Sequence, residues 1–167
     1  MNISVAVDQA WGIGRKNRLL VRLPADMKNF VKLTTGKVVV MGRRTWESIP
    51  NPPLKDRVNI VLSADPAFAP GGAVLCRSAE AALGELAAYP PEDIFIIGGE
   101  SVYRLLLPYC RRAYVTRFSN PNGLEADRFF PNLEEMPQWH IAEESEEKES
   151  NGISFRFAVF ERDGADS

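Results

Sequence analysis

Asp26 stands where an amphipathic helix needs an apolar side chain, and that misfit is the first sign of chemistry in the chain. The stretch Leu23-Pro24-Ala25-Asp26-Met27-Lys28-Asn29-Phe30-Val31-Lys32-Leu33-Thr34 opens like a helix, with proline at the first turn and an acid beside it. At roughly 100° per residue, Met27, Phe30, Val31 and Leu33 share one face, while Lys28 and Lys32 share the opposite one. Asp26 falls inside the apolar arc. A carboxylate among apolar neighbours is costly unless a specific donor meets it, which makes Asp26 a candidate for gripping a ligand or handling a proton. The bland alternative is a first-turn acid favoured by the helix dipole. The helix alone does not separate the two.

Three other segments carry the chemistry of anion binding. Gly42-Arg43-Arg44-Thr45 sets two guanidinium groups and a hydroxyl at the start of a helix. Leu62-Ser63-Ala64 puts a hydroxyl just past a strand, and Arg77 adds a charge nearby. Gly98-Gly99-Glu100-Ser101 presents backbone without side chains before another helix, as close approach to a pyrophosphate requires. Gly-Gly before a helix is often only a turn. Three such segments at successive strand ends point to a dinucleotide, and the arginine pair points to one with an additional phosphate, NADP. There is no G-x-G-x-x-G, so this is not the ordinary dinucleotide fingerprint.

These residues need a scaffold, and the chain alternates strand-like and helical runs to supply one. Ile3–Val7 is a short apolar run, followed by a Gly-punctuated loop, Trp11-Gly12-Ile13-Gly14, that leads to the Asp26 helix. Lys37–Gly42 reads as a fully buried strand by its β-branched content, then a helix over Arg43–Ile49 stops at a proline-rich loop. Strands are predicted at Arg57–Leu62, Ala73–Leu75, Ile94–Ile97 and Arg112–Phe118. Helices are predicted from a Ser78 cap to about Ala88, and over Ser101–Leu107, with Gly98-Gly99 as a tight turn. Trp139–Glu147 and Ile153–Glu161 alternate polar and apolar around Asn151-Gly152, the pattern of an antiparallel hairpin. The expected fold is a single α/β domain over residues 1–162: a mixed, mostly parallel sheet with an antiparallel C-terminal edge, flanked by helices. Residues 163–167 read as a frayed tail.

At 167 residues, 45% hydrophobic and 25% charged, the chain suits one globular domain. The formal charge of −2 argues against nucleic acid or an anionic membrane as main partner. No apolar run approaches the ~20 residues that span a bilayer, and the N-terminus enters strand-like sequence without a basic leader. Cys76 and Cys110 lie in no metal or redox spacing and read as core thiols of a reducing compartment, the cytoplasm. The single histidine, His140, reads as structural, which removes most Ser/His and Cys/His hydrolase schemes and His-rich metal sites.

Taken in order over residues 3 to about 161, the chain resembles the dihydrofolate reductases of the ordinary chromosomal type. The resemblance rests on Gly12-Ile13-Gly14, Leu23-Pro24-Ala25-Asp26, Val40-Met41-Gly42-Arg43-Arg44-Thr45-Trp46 through Pro50, and Pro53 through Ser63. Ile96-Ile97-Gly98-Gly99-Glu100-Ser101-Val102-Tyr103, Tyr114-Val115-Thr116 and Asp127-Arg128-Phe129-Phe130-Pro131 complete it. It implies a monomeric NADPH-dependent reductase of one-carbon metabolism that converts 7,8-dihydrofolate to tetrahydrofolate and binds antifolate inhibitors. Asp26 then matches the pterin-binding acid, supported by Thr116, and assists N5 protonation. Met27, Phe30 and Ile49 would wall the pterin and benzoyl rings, Arg57 would meet the glutamate α-carboxylate, and Ser4, Val5 and Ile97 would line the ring's amino edge. Ala6, Ile13 and Gly14 would frame the nicotinamide, and Gly98, Gly99, Glu100, Ser101, Val102 and Tyr103 the pyrophosphate. Gly42, Arg43, Arg44, Thr45, Leu62, Ser63, Ala64 and Arg77 would hold the adenosine phosphate end.

The chain departs from the family pattern at four places. Leu20-Val21 replaces the usual Pro-Trp and removes an indole beside the pterin. Val31 and Pro52 offer no cation, leaving Arg57 alone for the glutamate tail. Ser4 replaces an aliphatic residue, and Arg128 follows Asp127 where a small hydroxyl residue is common. The nearest rival is the NADPH-dependent pyrimidine reductase of riboflavin biosynthesis, which does not need Asp26 together with Arg57. A non-catalytic nucleotide-binding module is the rival from another class.

Overall fold

β-branched and aromatic residues concentrate in the strands, and two of the central ones are buried almost throughout. β3 (Val38–Gly42) and β6 (Ile94–Gly98) carry Val39, Val40, Met41 and Ile96 without solvent exposure. Alternate residues of the same strands feed two cores on opposite faces: Val38, Val40, Ile60, Ile94 and Ile96 on one, Val39, Met41, Val61 and Phe95 on the other. The fold is known from a computed structural model that describes residues 1–120 and 125–164.

Among those residues the main sheet has nine strands. β1 (Asn2–Val7), β3, β4 (Val58–Leu62), β5 (Val74–Cys76), β6 and β7 (Arg112–Phe118) run parallel in the order β7-β1-β6-β3-β4-β5. β11 (Ile153–Arg162) adds antiparallel to β7, and β9 (Trp139–Glu144) and β10 (Lys148–Ser150) pair antiparallel with β11. The antiparallel C-terminal edge is therefore present. α1 (Pro24–Thr34) and α2 (Arg43–Ser48) contribute Leu33 and Trp46 to one face, while α3 (Ala79–Leu86) and α4 (Glu100–Leu106) contribute Ala82, Leu86, Val102 and Leu106 to the other.

Several boundaries differ from the sequence expectation for local reasons. The Asn151-Gly152 turn forms with φ of 54° and 76°, but the first hairpin strand is split. The Ser145 hydroxyl accepts the Phe157 amide at 2.9 Å, substituting a side chain for a ladder partner between β9 and β10. Only part of the apolar arc of α1 faces the core: Leu33 packs there, whereas Met27 is 51% and Val31 46% exposed, and Thr34 is the buried residue of that helix. α2 ends at Ser48, with Ile49 as its C-cap, and α4 begins at Glu100. A small ribbon escaped the sequence reading altogether: β2 (Gly12–Gly14) pairs with β8 (Arg128–Phe129). Of the tail expected to fray, 165–167 lies outside the described residues, while the Asp163 amide donates to the Gln138 carbonyl at 2.6 Å.

The ribbon fits only because of Gly12. A Cβ there would stand 2.5 Å from the Ala126 Cβ and 3.1 Å from both Asp8 carboxylate oxygens. Asp8 Oδ1 also accepts the amides of Ala10 (2.9 Å) and Gly12 (2.8 Å), fixing the loop between β1 and β2. Gly12→Ala is expected to destabilise the protein by about 1–3 kcal/mol, as overpacking does. Thermal unfolding checks this, and an unchanged melting temperature would contradict the packing described.

Candidate active site

The carboxyl ends of the parallel strands are where an open α/β sheet places ligands. β6 lies between β1 and β3, so Gly98-Gly99 at its carboxyl end stands at the centre of the opening. A cleft of about 1470 Å³ opens there. It brings together most of the residues predicted from sequence. Val5, Ala6, Ile13, Gly14, Asp26 and Met27 line it from β1, β2 and α1; Gly42, Arg43, Arg44, Thr45 and Leu62 from β3, α2 and β4. Ile97, Gly98, Gly99, Glu100, Ser101, Val102 and Tyr103 complete the wall.

Asp26 sits in the first turn of α1, behind the N-terminal Pro24, and its Oδ1 accepts a hydrogen bond from the Thr116 hydroxyl at 2.5 Å. Thr116 lies on β7 opposite Ala6 of β1 and is buried. Burial pushes the Asp26 carboxyl above its ordinary value of 3.8, against the Thr116 hydrogen bond, which favours the ionised form. The other two carboxylates lining the cleft are matched by cations: Glu47 with Arg43 at 3.4 Å and Glu100 with Arg104 at 3.4 Å. Among the described residues, Asp26 alone of the three has no ion-pair partner. The helix-dipole reading explains a first-turn acid, but not one half-buried against a hydroxyl at a cleft wall.

The floor on the other side has no room for side chains. A Cβ on Gly42 would stand 3.0 Å from Val102 Cγ2. Gly98 has φ +125°, a conformation that glycine tolerates best, and a Cβ there would meet Thr45 Oγ1 and Tyr103 Oη, each at 3.4 Å. Tyr103 is buried, stacks edge-on against Phe130 at 5.0 Å, and donates its hydroxyl to the Ser4 carbonyl at 2.7 Å. Burial raises its phenol far above the ordinary range.

Other predicted residues stand outside the cleft wall. Thr116 lies behind Asp26, and the Ser4 carbonyl already accepts from Tyr103. Phe30 and Arg57 stack at 5.8 Å near the end of α1, where Arg57 also donates to Thr34 Oγ1 at 3.0 Å and to the Lys55 carbonyl at 2.9 Å. Ile49 packs against the core on the face shared with Trp46. Arg77 bonds the carbonyls of Ser63 (3.4 Å), Asp65 and Phe68 (3.2 Å), and Arg43 pairs with Asp65. These two arginines thus fasten the loop after β4, carrying Ser63 and exposed Ala64 outside the lining. Arg44 is less committed, with a 3.5 Å contact to Asn17 Oδ1.

Within the loop 15–22 the sequence singled out only Leu20-Val21; the loop also supplies Arg15, Asn17, Arg18, Leu19 and Arg22 to the lining. Arg15 and Arg18 exchange backbone hydrogen bonds of 2.9 and 3.0 Å around Lys16 and Asn17, both at positive φ. Asn17 was the available signal, since it tolerates that conformation. Leu20 packs with Leu23, Phe118 and Phe155, so the aliphatic pair that replaces Pro-Trp is anchored through Leu20.

The residues fit NADPH together with a second flat molecule. The cleft exceeds the about 300–1,000 Å³ of an ordinary small-molecule site. Its floor is a cradle that a Cβ at Gly42 or Gly98 would fill, and seven arginines line the cleft.

Comparison with known proteins gives the same direction. A family model described as dihydrofolate reductase matches residues 1–162. The dihydrofolate reductase of Bacillus subtilis is 35% identical over 159 residues, covering 94% of this chain and 91% of that protein. The Mus musculus enzyme is 38% identical over 185 aligned positions, with 97% of each chain covered. A solved structure described as dihydrofolate reductase from Enterococcus faecalis complexed with NADP(H) and RAB-propyl superposes with a TM-score of 0.84 at 28% identity. It covers 97% of this chain and 95% of that one.

The raised carboxyl of Asp26 has a consequence for stability. An acid whose pKa is higher folded than unfolded stabilises the fold fully below the unfolded value and loses that contribution as pH rises through the folded value. Asp26→Asn is therefore expected to melt at a higher temperature than the wild type at pH 7, with the gap closing as pH falls toward 3.8 and below. A gap that is absent at pH 7, or that widens in acid, would contradict the burial described.

Proposed function

The chain belongs to the dihydrofolate reductase family and catalyses the NADPH-dependent reduction of 7,8-dihydrofolate to 5,6,7,8-tetrahydrofolate, and from that premise we propose that Asp26 is its pterin-binding acid. The observation that carries this reading is a half-buried carboxylate without a cation among the described residues, oriented by Thr116 in the wall of the cleft. The pyrimidine reductase alternative falls with the family assignment.

The pterin's ring N–H and amino group form a parallel pair of donors that two carboxylate oxygens match in a fork. Thr116 takes one lone pair of Asp26 Oδ1 and so fixes the plane of that fork. The Ser4 and Ile97 carbonyls accept from the same amino edge; Ser4 retains a second lone pair beside the Tyr103 hydroxyl. Bound NADPH supplies the hydride. Val5, Ala6, Ile13 and Met27, with Leu20 and Val21 across the cleft, enclose the reacting rings and exclude water. The imine at N5 accepts hydride readily only when protonated. Asp26, with its pKa raised by burial, favours that protonation near neutral pH.

The remaining assignments follow the walls. Phe30 and Ile49 lie toward the benzoyl group, and Arg57, held by Thr34 and the Phe30 ring, meets the glutamate α-carboxylate. Gly14 joins Ala6 and Ile13 at the nicotinamide, and Gly98, Gly99, Glu100, Ser101, Val102 and Tyr103 frame the pyrophosphate side. Arg44 leads Gly42, Thr45, Leu62, Arg43, Ser63, Ala64 and Arg77 at the adenosine phosphate, which makes NADPH the preferred cofactor over NADH. Antifolates compete at Asp26. The protein acts as a monomer in this reading, and two buried free thiols, Cys76 and Cys110, support a reducing cytoplasm. Nucleic acid and membrane have no part in this reading.

Asp26→Asn keeps the shape of the side chain and removes its charge. General acid assistance contributes about 10²–10⁴-fold, so kcat at pH 7 should fall by roughly that range and recover in part as pH drops. The assay follows NADPH absorbance with dihydrofolate. Near-full activity of Asp26→Asn at pH 7 would overturn the assignment, and wild-type protein inert toward dihydrofolate would leave only a nucleotide-binding module.

A further inference from the structure

The chain carries a net charge of −2, yet seven arginines and three carboxylates line its cleft. The carboxylates do not neutralise the arginines evenly. Arg43 pairs with Asp65 and Glu47, and Arg104 with Glu100. Arg15, Arg18, Arg22, Arg44 and Arg128 have no carboxylate partner at ion-pair distance among the described residues. Four of these five lie on the loop after β2 or on α2. Arg128 stands apart, on β8.

Its place is set by two contacts. Arg128 is in register with Gly14 of β2, one strand from the loop that reaches over the cleft. The next residue, Phe129, donates its amide to Glu100 Oε2 at 3.2 Å, so β8 is fastened to the first residue of α4. Gly14, Glu100 and Arg128 all line the cleft. Among the described residues the guanidinium makes one hydrogen bond, from NH1 to the Asp127 carbonyl at 3.1 Å, which leaves most of its five N–H donors unused there. Nearby Arg104 has its charge matched by Glu100. Arg128 is thus the unmatched cation on the β8 side of the Gly98–Tyr103 segment.

We propose that Arg128 is a further cofactor-binding residue, a cation that meets the pyrophosphate of NADPH from the β2–β8 ribbon. The proposal rests on the assignment of Gly98–Tyr103 to the pyrophosphate. It also gives the Arg128 departure from the family pattern a purpose: an exposed arginine on a two-residue strand contributes little to the fold, but its charge-assisted hydrogen bonds strengthen an anion's binding.

The test compares wild type, Arg128→Ala and Arg128→Lys, titrated with NADPH and separately with 2′-AMP, which carries the adenosine phosphate but no pyrophosphate. Arg128→Ala should weaken NADPH about ten-fold at low salt, the scale of one hydrogen bond to a charged group. That loss should shrink at high salt, and Arg128→Lys should restore part of it. Binding of 2′-AMP should be the same in all three, and in turnover the change should fall on KM for NADPH rather than on kcat. Unchanged NADPH affinity in Arg128→Ala, with the apo protein melting as the wild type does, would overturn the proposal. An equal loss for 2′-AMP would overturn it too, by making Arg128 a general attractor of anions. If the wild type bound NADPH no more tightly than 2′-AMP, the pyrophosphate assignment itself would fail, a result distinct from failure of Arg128 alone.

Discussion

A carboxyl group half withdrawn from water in a cleft wall is the constraint around which this cleft is arranged. Burying an unpaired carboxylate costs several kcal/mol unless donors or a shift toward the protonated form relieve it. Thr116 supplies one donor from β7, and the raised pKa reports that relief is incomplete. The protein thus holds in its free form a group whose remaining acceptor sites are satisfied best by a flat donor pair. The surrounding elements keep it there: Pro24 starts α1 two residues before it, the parallel pairing of β1 with β7 brings Thr116 to it, and Leu23 anchors the preceding loop in the core.

The electrostatics of the two halves of the cleft differ accordingly. On the Asp26 side a single charge is concentrated by its apolar surroundings. On the other side arginines are numerous, exposed and screened, and individual ion pairs such as Arg104 with Glu100 contribute about 0–1 kcal/mol each. Their effect is collective, attracting an anionic cofactor from solution. The two halves meet at Gly98-Gly99, where the lack of side chains lets two ligands approach each other.

Much of this was legible in the sequence. The buried strands announced themselves by β-branched content, the Asn151-Gly152 turn by its dipeptide, and Asp26 by its place in an apolar arc. What was not legible depends on long-range contacts. The apolar arc of α1 reads from sequence as a core face, whereas Met27 and Val31 are exposed. β2 and β8 are too short to show a pattern, and they exist because Asp8 and Ala126 close around Gly12. Arg43 and Arg77 looked as free as Arg44; that both are tied to the loop at Asp65 emerges only when β4 and β5 are paired. The loop 15–22 gave no periodicity, yet it forms one side of the cleft.

The protonation of Asp26 in the free protein is the most direct measure of this account. Its carboxyl carbon can be followed by NMR through a pH titration of labelled protein, with Asp26→Asn identifying the resonance. The account predicts a midpoint above 3.8, because burial outweighs the Thr116 hydrogen bond. A midpoint at or below 3.8 would mean that the carboxylate is well solvated or fully satisfied by the protein, and the cleft would lose the group around which its chemistry has been built.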